Sequence, residues 1–190
     1  MAVVERKPFA IPVKRVTATL VAVMLSATLL AQSYNEAEVK AAFLFHFAHY
    51  VEYPSGAFEN DKSPFVIGVL GKSPVTDALQ KVVRGKNVNG RGIVVRQAGM
   101  DKELRRCHIL FIPKDEADKL PAILEILADA PVLTVGESAN FASKGGIIGF
   151  FTEQNRIRFE INPDSARRAH LIISSKLLSL ARIVGEGRRI

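Results

Sequence analysis

From Phe65 onward the chain alternates short, nearly uninterrupted apolar runs with amphipathic segments, and this constrains the fold more than any other feature. Phe65–Leu70 (FVIGVL), Cys107–Ile112 (CHILFI) and Val132–Val135 are runs of this kind, and Ile93–Arg96 is a shorter one. Successive side chains of a strand point to opposite faces, so an apolar residue at nearly every position means burial on both faces. Between the runs, Val75–Val83 and 115–128 have helical spacing, the second through Leu120, Ile123, Leu124 and Leu127. Strands alternating with helices build a parallel sheet covered on both sides. The next two apolar stretches differ. Ile147–Thr152 and Arg156–Asn162 are separated only by a turn around Gln154-Asn155, so they pair as a hairpin. In the second, Ile157, Phe159 and Ile161 face inward while Arg156, Arg158, Glu160 and Asn162 face outward. A closing helix is expected over 164–184, with Ala166, Ala169, Ile173, Leu177, Leu180 and Val184 as its core stripe. The fold class is α/β: a three-layer domain with a mixed, mostly parallel sheet that ends in an antiparallel hairpin, with helices on both faces.

The first 31 residues read as an export signal. Arg6, Lys7, Lys14 and Arg15 stand against the single acid Glu5, and Val16–Leu30 carries no charge. Leu29-Leu30-Ala31 ends on the small residue that a signal peptidase needs. The run is shorter than the roughly 20 residues of a spanning helix. The expected organisation is a signal peptide over 1–31 and one domain over 32–190. This changes the meaning of the net charge of +7. Residues 1–31 hold four of the 26 basic residues and one of the 19 acidic ones, leaving 22 against 18, a net +4. The remaining charges are interspersed, so the basic footprint of a nucleic-acid binder is missing. With no Trp and 7% aromatic residues, a base-stacking platform is also excluded.

Residues 35–52 predict a helix that stops before Pro54. Val39, Phe43, Phe47 and Tyr50 form one stripe, and Ala37, Ala41, Leu44, Ala48 and Val51 form a second beside it. Together they cover roughly 200°, about twice the arc that one core face requires. Glu38, His46, His49 and Glu52 occupy the polar remainder. The surplus apolar arc is either wedged between layers or docked on a partner.

Catalytic patterns fail one by one. Leu70-Gly71-Lys72-Ser73 follows a strand, but a phosphate loop needs Gly five positions before Gly71, where Val66 stands. Gly136-Glu137-Ser138 is followed by Ala139 and Asn140, not by the glycine of a nucleophile elbow. His46, His49 and Glu52 have helical spacing for a metal, yet a solvated polar face explains them as well. His108 lies in an apolar strand and reads as a hydrogen-bonded core residue, and His170 as helix surface. Cys107, the only cysteine, opens a buried strand and reads as a small hydrophobe; Arg105, Arg106 and His108 adjoin it in sequence without sharing its face. The expectation is a protein that is not an enzyme, with no metal and no cofactor.

Seven segments in order resemble the YfiR family of small exported bacterial proteins: Val39–Pro54 (VKAAFLFHFAHYVEYP), Phe65–Gly71 (FVIGVLG), Gly85–Val94 (GKNVNGRGIV), Cys107–Pro113 (CHILFIP), Pro131–Glu137 (PVLTVGE), Arg156–Asn162 (RIRFEIN) and Ile173–Ala181 (ISSKLLSLA). The resemblance implies a periplasmic regulator that binds the periplasmic portion of an inner-membrane diguanylate cyclase and represses it. It also implies an outer-membrane lipoprotein that sequesters the regulator, and lowered cyclic-di-GMP with restrained biofilm formation. The alternative is a periplasmic small-ligand-binding module that reports to a membrane sensor such as a histidine kinase. Two departures are visible: Tyr53-Pro54 stands where the family commonly has Trp-Pro, and the further cysteines that members often carry near Ser143–Gly149 are missing.

Two surfaces follow. Contact with a membrane protein calls for an apolar patch with a polar rim, and Phe43, Phe45, Phe47, Tyr50 and Tyr53 are the candidates. A homodimer is expected beside this contact. For a small ligand, the outward face of the last strand offers Arg158, Glu160 and Asn162, joined by Arg168 on the following helix and by Ser143 in the glycine turn.

Overall fold

The structure is a computed structural model that describes residues 36–185. The export signal expected over 1–31 lies outside the described residues. Helix α1 (36–47) leads into strand β1 (Val51–Glu52), and then the chain enters an eight-stranded sheet. Its strands in chain order are β2 (Phe65–Leu70), β3 (Asn87–Val88), β4 (Arg91–Ala98), β5 (Ile109–Ile112), β6 (Leu133–Gly136), β7 (Ile148–Glu153), β8 (Arg156–Ile161) and, after the two-residue β9 (Ile172–Ile173), β10 (Arg182–Ile183). Across the sheet the order is β10-β8-β7-β6-β5-β2-β4-β3. The five strands β7, β6, β5, β2 and β4 are mutually parallel, as their apolar runs require. The β7–β8 hairpin is antiparallel and turns at Gln154 and Asn155, both at positive φ (49° and 59°), the backbone that tight two-residue hairpins select. The fold is therefore α/β with a mostly parallel sheet.

Each face of the sheet has its own core. On one, Ala37, Ala41, Leu44 and Phe47 of α1, Ala48 just after it, and Val75, Ala78 and Leu79 of α2 (Pro74–Val83) close over Phe65, Ile67, Phe111, Val135 and Phe150. On the other, Leu104, Cys107, Phe141 and α3 (Leu120–Ile126) cover Leu70, Leu110 and Ile112. Phe141 lies flat against the backbone here: a Cβ at Gly136 or Gly146 would stand 2.3 or 2.1 Å from its ring.

Three expected helices are cut differently. α1 ends at 47, because Val51 and Glu52 are drawn into antiparallel pairing with Ile173 and Ile172. The 115–128 segment splits into a 3-10 turn (Lys114–Lys119) and α3, with Pro121 in the first turn of α3, where its missing N–H costs nothing. The closing helix over 164–184 does not form. It is replaced by α4 (Pro163–Arg168), β9, α5 (Ser175–Leu178) and β10. His170 turns to φ 56° and the Leu171 amide closes back on the Ala166 carbonyl at 2.9 Å, which ends α4. The β-branched pair Ile172-Ile173 then extends, and the Ser174 side chain caps α5.

Candidate functional site

The apolar surplus of α1 divides between core and surface. Phe47 is fully buried, with ring centroids 5.9 Å from Phe43, 5.9 Å from Phe150 and 5.1 Å from Phe159. Its expected place on a docking surface is corrected: the ring fills the space between α1 and the β7–β8 hairpin. Phe43 is half-buried in the same cluster, 5.5 Å from Phe159. Phe45 lies on the opposite side of the helix and is also half-buried. Its ring meets His49 edge-on at 4.8 Å and carries the Lys86 ammonium at 4.5 Å from the centroid. His46, His49, Glu38 and Glu52 are exposed, and no group of three metal-ligating side chains forms among the described residues.

His49 continues the surface into a groove of about 510 Å³ lined by Val51, Glu52, Tyr53, Phe58, Val88 and Arg91 among others. Tyr53 forms its floor. The phenol donates to the His108 carbonyl at 2.9 Å, and burial pushes its pKa well up, so it stays protonated. Beneath lies His108, its ring stacked on Phe58 (4.3 Å) and against Phe65 (4.9 Å), with the two phenyl rings 6.4 Å from each other. The Val66 amide donates to His108 Nδ1 at 2.9 Å, which assigns the ring proton to Nε2, 3.1 Å from the Ala57 carbonyl. Burial lowers its pKa to about 4, so the ring is neutral and structural. Arg91 holds the rim: it donates to the carbonyls of Asn60 (2.8 Å) and Ser63 (2.9 Å) and lies over Phe58 at 4.0 Å. Sequence reasoning missed Phe58 and Arg91. The one hint was the GKNVNGRG turn, which folds the short β3–β4 hairpin and sets Arg91 beside Phe58.

A second polar cluster joins α1 to the sheet. Lys40, nearly buried, pairs with Glu137 and with Glu36 at 2.6 Å, and Glu137 accepts the Lys114 amide at 2.9 Å. Burial pushes the Lys40 ammonium down, but its bonds to Glu137 and Glu36 outweigh that and leave its pKa raised. One ammonium thus bridges two carboxylates, and the cluster serves as a latch between helix and strand end.

The ligand set expected along β8 is not assembled. Glu160 and Asn162 are buried, not outward, because β10 adds a further strand over this edge and α4 begins beside it. Glu160 bonds Arg182 at 2.5 Å, and Arg182 lies over Phe151 at 3.9 Å. Asn162 accepts from the amides of Asp164 and Ser165, both at 3.1 Å, and donates to the Ala142 carbonyl at 2.9 Å. Both side chains are spent inside the fold. Arg158 and Ser143 are exposed, Arg158 standing 3.9 Å from Glu153. Arg168 bonds the Ser165 hydroxyl at 2.9 Å and borders a cavity of about 280 Å³ with Leu124, Leu127, Val132 and Ile147.

Cys107 is 2% exposed, and burial pushes its thiol pKa up against the opposing pull of Arg96. The described residues thus hold no activated nucleophile at this position and no helix long and apolar enough to cross a membrane. A family model described as YfiR/HmsC-like matches residues 37–182, from the first turn of α1 to the first residue of β10. The chain belongs to the YfiR/HmsC-like family. That family is one of periplasmic regulators of the diguanylate cyclase type, regulatory rather than catalytic. No curated protein matches the chain. Among solved structures, a conserved domain protein from Vibrio cholerae O1 biovar eltor is similar at 10% identity and a TM-score of 0.47, over 64% of this chain and 54% of that one. The chain thus spans about half of that protein's length.

Proposed function

We propose that this protein is an exported repressor that binds the periplasmic portion of an inner-membrane diguanylate cyclase and lowers cyclic-di-GMP without contacting the nucleotide. The observation that carries the surface is Phe45, a half-buried ring on the outer side of α1, continuous through His49 with the groove floored by Tyr53. An aromatic anchor beside a groove of mixed lining, with Val51, Phe58 and Val88 inside and His49, Glu52 and Arg91 at the rim, matches the anatomy of a protein-binding patch. Tyr50, just past the end of α1, is half-buried against the core. An outer-membrane lipoprotein that competes for this surface would relieve repression.

The test is capture in the native host: tagged protein crosslinked in the periplasm, recovered from solubilised membranes and identified by mass spectrometry. The expected result is an inner-membrane cyclase crosslinked near residues 45–53, with the crosslink lost and cyclic-di-GMP raised in Phe45→Ala. Recovery of a histidine kinase instead would replace the pathway, and self-capture alone would overturn the reading.

A second reading, a small-ligand module that reports to a membrane sensor, draws on one observation: the cavity of about 280 Å³ with Arg168 at its edge and apolar walls. Loss of thermal stabilisation by a periplasmic metabolite pool in Arg168→Ala would favour it.

A further inference from the structure

The net charge of the domain sits at one end of its chain. Residues 32–162 hold 16 basic and 16 acidic side chains, a balance of zero. Residues 163–190 hold six basic ones, Arg167, Arg168, Lys176, Arg182, Arg188 and Arg189, against Asp164 and Glu186, so the whole +4 of residues 32–190 lies in this stretch. Exposed apolar side chains collect there as well. Six large ones are exposed among the described residues, and the two most exposed are Leu180 at 70% and Ile172 at 63%, with Ile183 a third in the same stretch.

The segment from β9 to β10 sorts these residues by side. Leu171, Ile173 and Leu177 are buried and hold the segment against the core on the α1 side of the sheet. By strand alternation Ile172 turns away from that core. Past β9, the amide bonds from Leu178 to the Ser174 carbonyl (3.1 Å), Ser179 to Ser175 (2.9 Å) and Leu180 to Leu177 (3.2 Å) carry the helical winding of α5 on through Leu180. Leu177 packs inward, while Lys176 and Leu180, four residues apart and so neighbours on one side of the winding, are exposed. The acidic groups of the region are occupied: Asp164 pairs with Arg167, and Glu160 bonds Arg182 at 2.5 Å. Arg168 bonds the neutral Ser165 hydroxyl.

Neither the groove floored by Tyr53 nor the cavity bordered by Arg168 is lined by Ile172, Lys176 or Leu180. Exposed apolar side chains interspersed with cations, outside any concave site, suit a shallow contact with a lipid surface. There apolar ends enter the acyl boundary, and long cationic side chains reach the phosphates. We propose that residues 172–183 form a membrane-contact strap that lays this domain on a bilayer carrying anionic phospholipid. Leu180 and Ile172 enter the headgroup boundary, Lys176 and Arg168 meet the lipid phosphates, and Arg188 and Arg189 add charge of the same sign along the sequence. Each contact is weak alone, so attachment is reversible and sensitive to salt. It confines the protein to the surface on which a membrane-embedded target is met. This inference needs lipid only and stands apart from the identity of any protein partner.

Cosedimentation of the mature chain with vesicles tests it, with phosphatidylcholine alone and with phosphatidylcholine containing about 30% phosphatidylglycerol. The expected result is binding to the anionic vesicles that is lost in about 0.5 M salt, and none to the zwitterionic ones. Lys176→Glu and Leu180→Ser, both at exposed positions, should each weaken binding at least ~3-fold and stay folded by circular dichroism. Lys102→Glu makes the same charge change in the 3-10 turn on the other face of the sheet and should bind as the native chain does. The chain has no Trp, so Leu180→Trp supplies its single indole, whose emission should shift to the blue on anionic vesicles. The proposal is overturned by absence of binding at low salt, by equal binding to the two vesicles, by a loss in Lys102→Glu as large as in Lys176→Glu, or by unshifted emission at 180. Binding to membranes of the native host but not to pure lipid would assign the strap to a membrane protein and overturn the proposal as well.

Discussion

His108 shows how a single side chain converts burial into pH dependence. Its ring is held neutral against Phe58 and Phe65, with its pKa lowered by burial to about 4 from the ordinary histidine value near 6.5. The unfolded chain takes up a proton below pH 6.5 while the folded ring does not until about pH 4, so the unfolded state binds more protons in that window. Stability is therefore highest above pH 6.5, falls as the pH drops toward 4, and changes no further from this ring below that. After a discount for partial solvent access, the loss amounts to about 1–2 kcal/mol. Urea denaturation at pH 7 and pH 4.5 measures it. His108→Asn keeps an acceptor for the Val66 amide; it should be less stable at pH 7 and show a flatter slope between the two. Equal slopes in the two proteins would mean that His108 does not carry the effect. The core role of this residue was legible from its apolar strand. The stacking on Phe58 was not, because Phe58 belongs to the irregular segment between β1 and β2, where no period marks which residues turn inward.

At the scale of elements, legibility follows periodicity. The parallel strands declared themselves because burial on both faces leaves no polar alternation, and the β7–β8 hairpin because its two-residue turn admits few geometries. The segment after Asn162 misled because Ala166, Ala169, Ile173 and Leu177 keep a helical spacing although three separate elements supply them. The same break bears on the failed ligand set: alternation along β8 predicts Glu160 and Asn162 outward, but the unforeseen β10 and α4, with the segment at Ala142, cover them. Asn162 is consequently a structural joint. It caps α4 with two amide bonds and ties the strand end to the Ala142 carbonyl. Asn162→Ala should cost about 2–3 kcal/mol, since a cap and a buried donor–acceptor pair are lost together. That corresponds to a Tm lower by roughly 5–10 °C. Asn162→Asp, which keeps the cap and loses only the bond to Ala142, should fall between. A thermal melt of the alanine variant that matches the native protein would refute this role.

For the whole molecule, the question is whether the two faces of the sheet unfold as one body, and the lone thiol reports on it. Cys107 belongs to the core under the 3-10 turn Lys102–Arg106 and lies so close to the sheet that a Cβ on Gly68 would stand 2.6 Å from its sulfur. Reagent can reach it only if that turn lifts or the whole domain opens. The turn is bound from two sides: Arg96 holds the Glu103 carbonyl, and Arg105 donates to the carbonyls of Ile126 (3.0 Å) and Ala128 (2.9 Å) at the end of α3. These bonds couple the turn to both β4 and α3, so local lifting would break contacts on two elements at once. We therefore expect Cys107 to react with a thiol reagent at least ~10³ times more slowly in the native protein than in urea, at a rate that tracks global unfolding. Burial, which raises the thiol pKa, slows it further at neutral pH. Labelling that is fast in buffer and insensitive to low urea would show that this face opens alone. The face carrying α1 and the groove would then be the more rigid half, the one better suited to hold a partner.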